Sequence, residues 1–182
     1  MKTLVIVSHP YAGQSVAIKA LQQAAVQLEN VTVRHLESRY SNDLNAIDAI
    51  AEQQAHEAAD RIVYLYPTHW FNTTPMLKAY LNAVWTFGWA FGPGGAALKG
   101  KELQIVTTAG ASEHTYSAAG LITLTMQEVL SPMKASALYV GMRYNAPLAF
   151  YGAMGLTEAQ LAQMQRAFTE RLHAPLGSIA QG

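Results

Sequence analysis

The 182-residue chain contains no cysteine, which removes disulfides, thiolate nucleophiles and cysteine-bound metals together. It is also short of charge: charged residues make up 13%, apolar ones 51%, and the formal net charge is zero. So few charges point to surface hidden in a subunit interface or to a large ligand cleft. The twelve basic residues form no cluster, so the footprint of a nucleic-acid binder is missing. No apolar run reaches the ~18–20 residues that span a bilayer. The short apolar run Met1–Ser8 has no small-residue cleavage site behind it, which argues against a signal peptide. A cytoplasmic location is expected, and the sequons at Asn30 and Asn72 are then chance matches. The six histidines show no metal-ligand spacing; no metal is expected, and His35, His56 and His173 read as surface residues.

What is present is an alternation of strand and helix patterns. Leu4–Val7, Val31–Leu36, Arg61–Tyr66, Glu102–Thr108 and Ala135–Val140 read as strands. Continuous apolar runs such as Leu4–Val7 suit strands covered on both faces. Val16–Leu28, Ala46–Ala59, Met76–Trp85, Leu121–Leu130 and a last segment from Thr157 to about His173 read as helices. Ser131-Pro132 reads as a helix stop, Glu37–Asn45 as irregular, and Phe87–Gly100 as too broken by glycine to be one element. Strands alternating with helices predict an α/β fold: a flavodoxin-like five-stranded parallel sheet, order 2-1-3-4-5, with helices on both faces. No repeat or linker divides it, so residues 1–182 are expected to form a single domain.

In that order strands 1, 3 and 4 are neighbours, and the loops leaving them, His9–Gln14, Pro67–Thr74 and Ala109–Ser117, meet at one sheet edge. Ser15 and the N–H groups of Val16, Ala17 and Ile18 would face an anion at a helix N-terminus, with His9 as a further donor. Taken alone Ser15 reads more simply as a plain N-cap; its place after the first strand of a doubly wound sheet reverses that preference. Thr68, His69, Trp70 and Phe71 lie in a polar loop between prolines; the two aromatics suit either a flat ring or the core. Thr107-Thr108-Ala109-Gly110 would let backbone approach a ring closely. No Asp/Glu pair falls in these loops, which argues against carboxylate-dyad chemistry. Two rival motifs fail on context. Gly92-Pro93-Gly94-Gly95-Ala96-Ala97 precedes a strand instead of following one, and Gly13-Gln14-Ser15-Val16-Ala17 lies too far from its strand for a nucleophile elbow.

The stretch Pro67-Thr68-His69-Trp70-Phe71-Asn72-Thr73-Thr74-Pro75-Met76-Leu77-Lys78 resembles the signature of the NAD(P)H:quinone oxidoreductases, the DT-diaphorase-like flavoproteins. Ser8-His9-Pro10-Tyr11, Gly88-Trp89-Ala90-Phe91-Gly92, Ala97-Leu98-Lys99-Gly100-Lys101 and Thr107-Thr108-Ala109-Gly110 extend the resemblance, closest to the ancillary oxidoreductases of glutathione-regulated potassium efflux. The resemblance implies hydride transfer from NAD(P)H to a quinone-type acceptor by a ping-pong mechanism. It implies FMN, with FAD left open, held at the phosphate by His9 and Ser15–Ile18 and at the ring by Thr68–Phe71 and Thr107–Gly110. It implies that Tyr116 and His114 polarise the flavin or the quinone, and that the protein is a homodimer. Trp85, Trp89 and Phe91 then line the acceptor pocket or form interface core. The alternative it implies is a flavin-bound regulatory subunit of a membrane potassium-efflux transporter, peripheral at the inner membrane face. Two departures stand out: Ile18 where many members have asparagine, and Ala109 where they have glycine.

Overall fold

The computed structural model describes residues 1–11 and 13–182; Ala12, within the His9–Gln14 loop, lies outside the described residues. In chain order the elements are β1 (Thr3–Val7), α1 (Val16–Val26), β2 (Val31–His35), the single turn α2 (Leu36–Arg39) and α3 (Ala49–Glu57). There follow β3 (Arg61–Pro67), α4 (Pro75–Val84), β4 (Glu102–Thr108) and a 3-10 turn at Glu113–Tyr116. The chain closes with α5 (Met126–Val129), α6 (Ser131–Tyr139), β5 (Arg143–Tyr144), β6 (Leu148–Phe150) and α7 (Glu158–His173). The sheet is parallel in the order β2-β1-β3-β4-β5, with β6 also pairing β4.

Every residue of β1, β3 and β4 is buried, and their side chains alternate between two cores. Val5, Val7, Val63, Leu65 and Val106 pack with Ile18 and Leu21 of α1 and Phe168 and Leu172 of α7. Leu4, Ile6, Ile62, Tyr64, Leu103 and Ile105 pack on the other face with Leu77, Tyr80 and Val84 of α4 and Met133 and Ala137 of α6. Burial on both faces is why these strands read as unbroken apolar runs.

The C-terminal third departs from the expectation. Ala135–Val140 is not a strand but part of helix α6, and Ser131-Pro132 begins that helix instead of ending one. Proline is tolerated in a first turn because its missing N–H would have no helical partner there. Met133, Ala137 and Val140 are buried at spacings of four and three, a helical face that the short apolar run Ala135–Val140, read by itself, does not distinguish from a strand. The helix expected over Leu121–Leu130 shrinks to Met126–Val129, opened by a Thr125–Glu128 capping box; Thr123 ahead of it has φ +54°, which no helix allows. The irregular stretch after Leu36 contains the turn α2. Fifth place in the sheet is filled by β5 and β6 together. Glu102 pairs with Arg143 and Val106 with Leu148, so one extra residue is accommodated around Pro147, which has no N–H to give the ladder.

Of the three histidines expected at the surface, one is buried and one half-buried. His56 is fully buried, its Nδ1 2.8 Å from the Glu52 carbonyl and its Nε2 3.3 Å from the Tyr64 hydroxyl. Burial holds its pKa down to about 4, so the ring is neutral. His35 caps α2 by accepting from the Ser38 N–H; only His173 is exposed.

Candidate active site

The loops after β1, β3 and β4 do converge, and they enclose a cleft of about 580 Å³ at the C-terminal edge of the sheet. Hollows of about 630 Å³ and 690 Å³ lie elsewhere, one beside Lys2, Asn30 and Thr32 and one between α4 and α6. Neither receives the three loops at the switch between β1 and β3, where an open parallel sheet holds its ligand.

The first wall is the start of α1. Ser15 is its N-cap, with Oγ 3.2 Å from the Ile18 N–H it accepts. That bond takes Ile18 out of the site: its N–H is spent on the cap and its side chain is buried under the helix. Val16 and Ala17 line the cleft with first-turn N–H groups that no helical carbonyl can reach, and the first turn carries no acidic residue. His9 stands beside them. The Tyr11 N–H donates to its Nδ1 at 2.9 Å, so the neutral ring carries its proton on Nε2. Burial, then neighbouring His69, push its pKa below the ordinary histidine value, with Glu37 opposing them. The rings of His9 and His69 meet edge to face at 5.8 Å.

The second wall comes from β3. Thr68 donates its N–H to the Thr108 carbonyl at 2.9 Å. Its hydroxyl lies 2.7 Å from that of Thr107, whose own proton goes to the Tyr66 carbonyl at 2.8 Å. The Thr68 hydroxyl therefore donates to Thr107 and keeps its lone pairs free. Thr107 is fully buried and serves as the anchor of Thr68, not as cleft lining. His69–Asn72 is a tight turn closed by reciprocal backbone bonds, with Trp70 at φ +47° and Phe71 at φ +62°. Two central residues at positive φ are what this turn needs, yet bulky aromatics pay about 1–2 kcal/mol each to adopt it. Neither aromatic lines the cleft. Trp70 is 93% exposed, and Phe71 lies on the far side of the turn, edge to face with Tyr116 at 5.9 Å.

From β4, Thr108 and Gly110 line the cleft, while Ala109 is buried with its N–H bound to the Phe150 carbonyl at 2.8 Å. Tyr116 is buried between Phe71 and Tyr151, at 5.9 and 5.5 Å, and burial raises its pKa. His114 is exposed in the same 3-10 turn, and neither it nor Tyr116 reaches the cleft surface. A fourth wall, Ala153, Met154, Gly155 and Leu156, was not foreseen. It follows β6 and is tied to the β4 loop by bonds from the Gly152 and Ala153 N–H groups to the Ala111 and Ala109 carbonyls. With the last strand misplaced at Ala135–Val140, nothing in the sequence brought this segment to the site. The two glycines at 152 and 155, flanking Ala153 and Met154, were the available signal.

Trp85 and Phe91 lie away from the cleft, in the hollow between α4 and α6, and the Trp89 indole donates to Glu57 at 2.6 Å. The cleft thus offers free N–H groups at a helix end, an imidazole N–H, a threonine hydroxyl and apolar walls. Among the described residues no carboxylate lines it. An anion tethered to a flat, partly polar group suits that chemistry.

The flavodoxin-like fold family model matches residues 1–172. The chain belongs to that family. It is 37% identical over 172 residues to the glutathione-regulated potassium-efflux system ancillary protein KefF of Salmonella typhimurium, covering 94% of this chain and 95% of that protein. Among solved structures, the general stress protein 14 of Treponema denticola in complex with FMN superposes with a TM-score of 0.85 at 35% identity, covering 94% and 96% of the two chains. An NADPH-quinone reductase from P. pentosaceus also gives a TM-score of 0.85, at 27% identity and coverage of 94% and 97%. No helix among the described residues is long and apolar enough to cross a membrane.

Proposed function

We propose that this protein is an FMN-dependent oxidoreductase that passes hydride from NAD(P)H to a quinone-type acceptor by a ping-pong mechanism. The observation that carries the proposal is a cleft with no carboxylate among its described lining residues and with the Val16 and Ala17 N–H groups at the start of α1 left free at one end. It is supported by the FMN held by the Treponema denticola relative and by the activity named for the P. pentosaceus one. The flavin supplies the redox chemistry when bound. The Val16 and Ala17 N–H groups and His9 Nε2–H would receive its phosphate, each a donor needing no proton uptake at neutral pH. Thr68, held by Thr107, and the Gly110 backbone would meet the ring, and Met154 and Leu156 would exclude water from it. Tyr116 and His114 are proposed to act on the acceptor side. Tyr116 would present its raised-pKa hydroxyl as a proton donor beside Phe71 and Tyr151.

The apolar hollow between α4 and α6, with Tyr139 75% exposed, is proposed as the homodimer contact. Likeness to the potassium-efflux ancillary protein over 95% of its length favours one second reading, a flavin-bound regulatory subunit at the cytoplasmic face of a transporter. The test of the first reading is an absorbance spectrum of the purified protein, mass analysis of the released cofactor, and NAD(P)H oxidation with a quinone. Parallel double-reciprocal lines are expected. A protein without flavin, or one that binds flavin and reduces no acceptor, refutes the enzymatic reading; the latter together with transporter co-purification supports the regulatory one.

A further inference from the structure

Behind the cleft lies a buried carboxylate, Glu37, outside the cleft lining. Glu37 sits in α2, a single turn following β2, and is buried. Its Oε1 accepts from the Ser8 hydroxyl at 2.7 Å. Ser8, fully buried, is the residue immediately before His9. The Ser8 hydroxyl also touches the Thr74 hydroxyl, and Thr74 is the fully buried N-cap of α4, closing the Thr68–Thr73 loop. Proton directions are forced. A carboxylate accepts only, so Ser8 spends its one proton on Glu37; Thr74 must then donate to Ser8, while its own oxygen accepts the Leu77 N–H at 3.3 Å. The relay runs one way, from the α4 N-terminus through both cleft loops into α2.

The other side of the carboxylate is left open. Glu37 Oε2 is buried without a hydrogen-bond partner among the described residues, and so is His35 Nε2. His35 Nδ1 stands 3.7 Å from Oε2 but already accepts from the Ser38 N–H. Unsatisfied buried polar atoms cost about 1–3 kcal/mol each, and an apolar side chain behind the loops would have avoided that cost. Beside the His9–His69 ring contact, the bonds through Ser8 and Thr74 are a second tie between the two loops, and Glu37 anchors it to α2.

We infer that Glu37 is a positioning residue for the flavin cleft, holding the His9 loop and the Thr68–Thr73 loop in mutual register through Ser8 and Thr74. The inference rests on the flavin reading, because flavin affinity is what the register would control. Released from Glu37, Ser8 no longer has its proton fixed, Thr74 loses its directed acceptor, and His9 and Thr68 lose their common reference.

The test is FMN binding to flavin-free protein, read by flavin fluorescence quenching at a temperature well below unfolding. Glu37→Ala and Ser8→Ala are each expected to weaken FMN binding about tenfold. The double variant is expected to be little worse than either, because the two residues act through one relay. Glu37→Gln keeps a carbonyl acceptor for Ser8 and is expected to stay within about threefold of the unsubstituted protein. Phe168→Leu, in the core under α7, is expected to lower the melting temperature while leaving FMN affinity within about twofold. Glu37→Ala binding FMN normally, or effects of the two alanines that multiply, would overturn the inference. So would Glu37→Gln as impaired as Glu37→Ala, since charge and not the relay would then be at work. Should Glu37→Ala not fold, Ser8→Ala alone decides, and normal FMN binding by it refutes the relay. Failure of the unsubstituted protein to bind FMN removes the flavin reading and this inference together, an outcome distinct from all of these.

Discussion

An acid placed at Val16 should stabilise the empty protein and weaken its cofactor binding at the same time. Val16 is the first residue of α1, 60% exposed, and lines the cleft; the helix has no acidic residue in its first turn. A carboxylate at that position complements the positive end of the helix, worth about 0.3–1 kcal/mol. In a domain of this size that corresponds to a rise of about 1–4 °C in melting temperature. The same carboxylate would stand roughly 6 Å from a phosphate monoester bound at the helix end, itself carrying about −1.5 charge. Their repulsion is about 1 kcal/mol in water-like surroundings and about 4 kcal/mol at an effective dielectric of ~20. FMN affinity in Val16→Asp should therefore fall at least about fivefold at low salt, and less as salt is added. Riboflavin, which has no phosphate, is the control: its affinity should barely move. Titrating flavin-free protein with each ligand and recording both melting curves tests the whole argument. Equal losses for FMN and riboflavin, or no loss for FMN, would show that no phosphate sits at the α1 N-terminus.

Three further predictions concern the rest of the molecule. Glu102→Gln strips the counter-charge from fully buried Arg61, whose guanidinium lies 2.8 Å from Glu102 and also donates to the Arg171 and Leu172 carbonyls in the last turn of α7 and to the Pro175 carbonyl just beyond it. A loss of about 3–5 kcal/mol is expected by chemical denaturation at pH 7. Burial alone would raise the Glu102 pKa, but the Gly177 N–H, Asn145 and Arg61 together hold it below its ordinary value. A depressed carboxylate contributes stability above its unfolded pKa and loses it as pH falls through the folded one. The gap between the two proteins should thus close on acidification below about pH 4, and a gap that is independent of pH would contradict the assignment. Tyr139→Asp, on the exposed edge of the α4/α6 hollow with its ring 5.7 Å from Phe91, should convert a dimer to monomers in sedimentation velocity; a variant that stays dimeric places the contact elsewhere. Tyr116→Phe and His114→Ala should each lower quinone turnover by more than about twofold, corresponding to roughly half a kcal/mol of barrier. Turnover unchanged in both would remove them from the mechanism.

The strands β1 to β4 and the helices α1, α3 and α4 between residues 3 and 108 were legible because each of those decisions is local, whereas the turn α2 and the burial of His56 were not. Leu4–Val7 and Arg61–Tyr66 read as strands covered on both sides, Ser15 and Met76 as the starts of helices, and parallel pairing then brought three loops together. The C-terminal third was not legible for an equally physical reason. Ala135–Val140 is apolar enough for either element, and only its packing against α4 and the sheet selects the helix. That one choice displaced the last strand to Arg143–Phe150 and hid the Ala153–Leu156 wall of the cleft.

The sequence by itself determined the fold class, the sheet order and the edge where ligand chemistry belongs, since hydrophobic period and chain direction suffice for those. Only the tertiary structure decided which side of each loop faces inward. It turned Ile18 under the helix, Thr107 behind Thr68, and Phe71 away from the cleft toward Tyr116. It also brought Glu37 beneath Ser8 and Thr74 from 29 and 37 positions away in the chain. Hydrogen bonds and close packing make those choices among residues distant in sequence, and no local period records them.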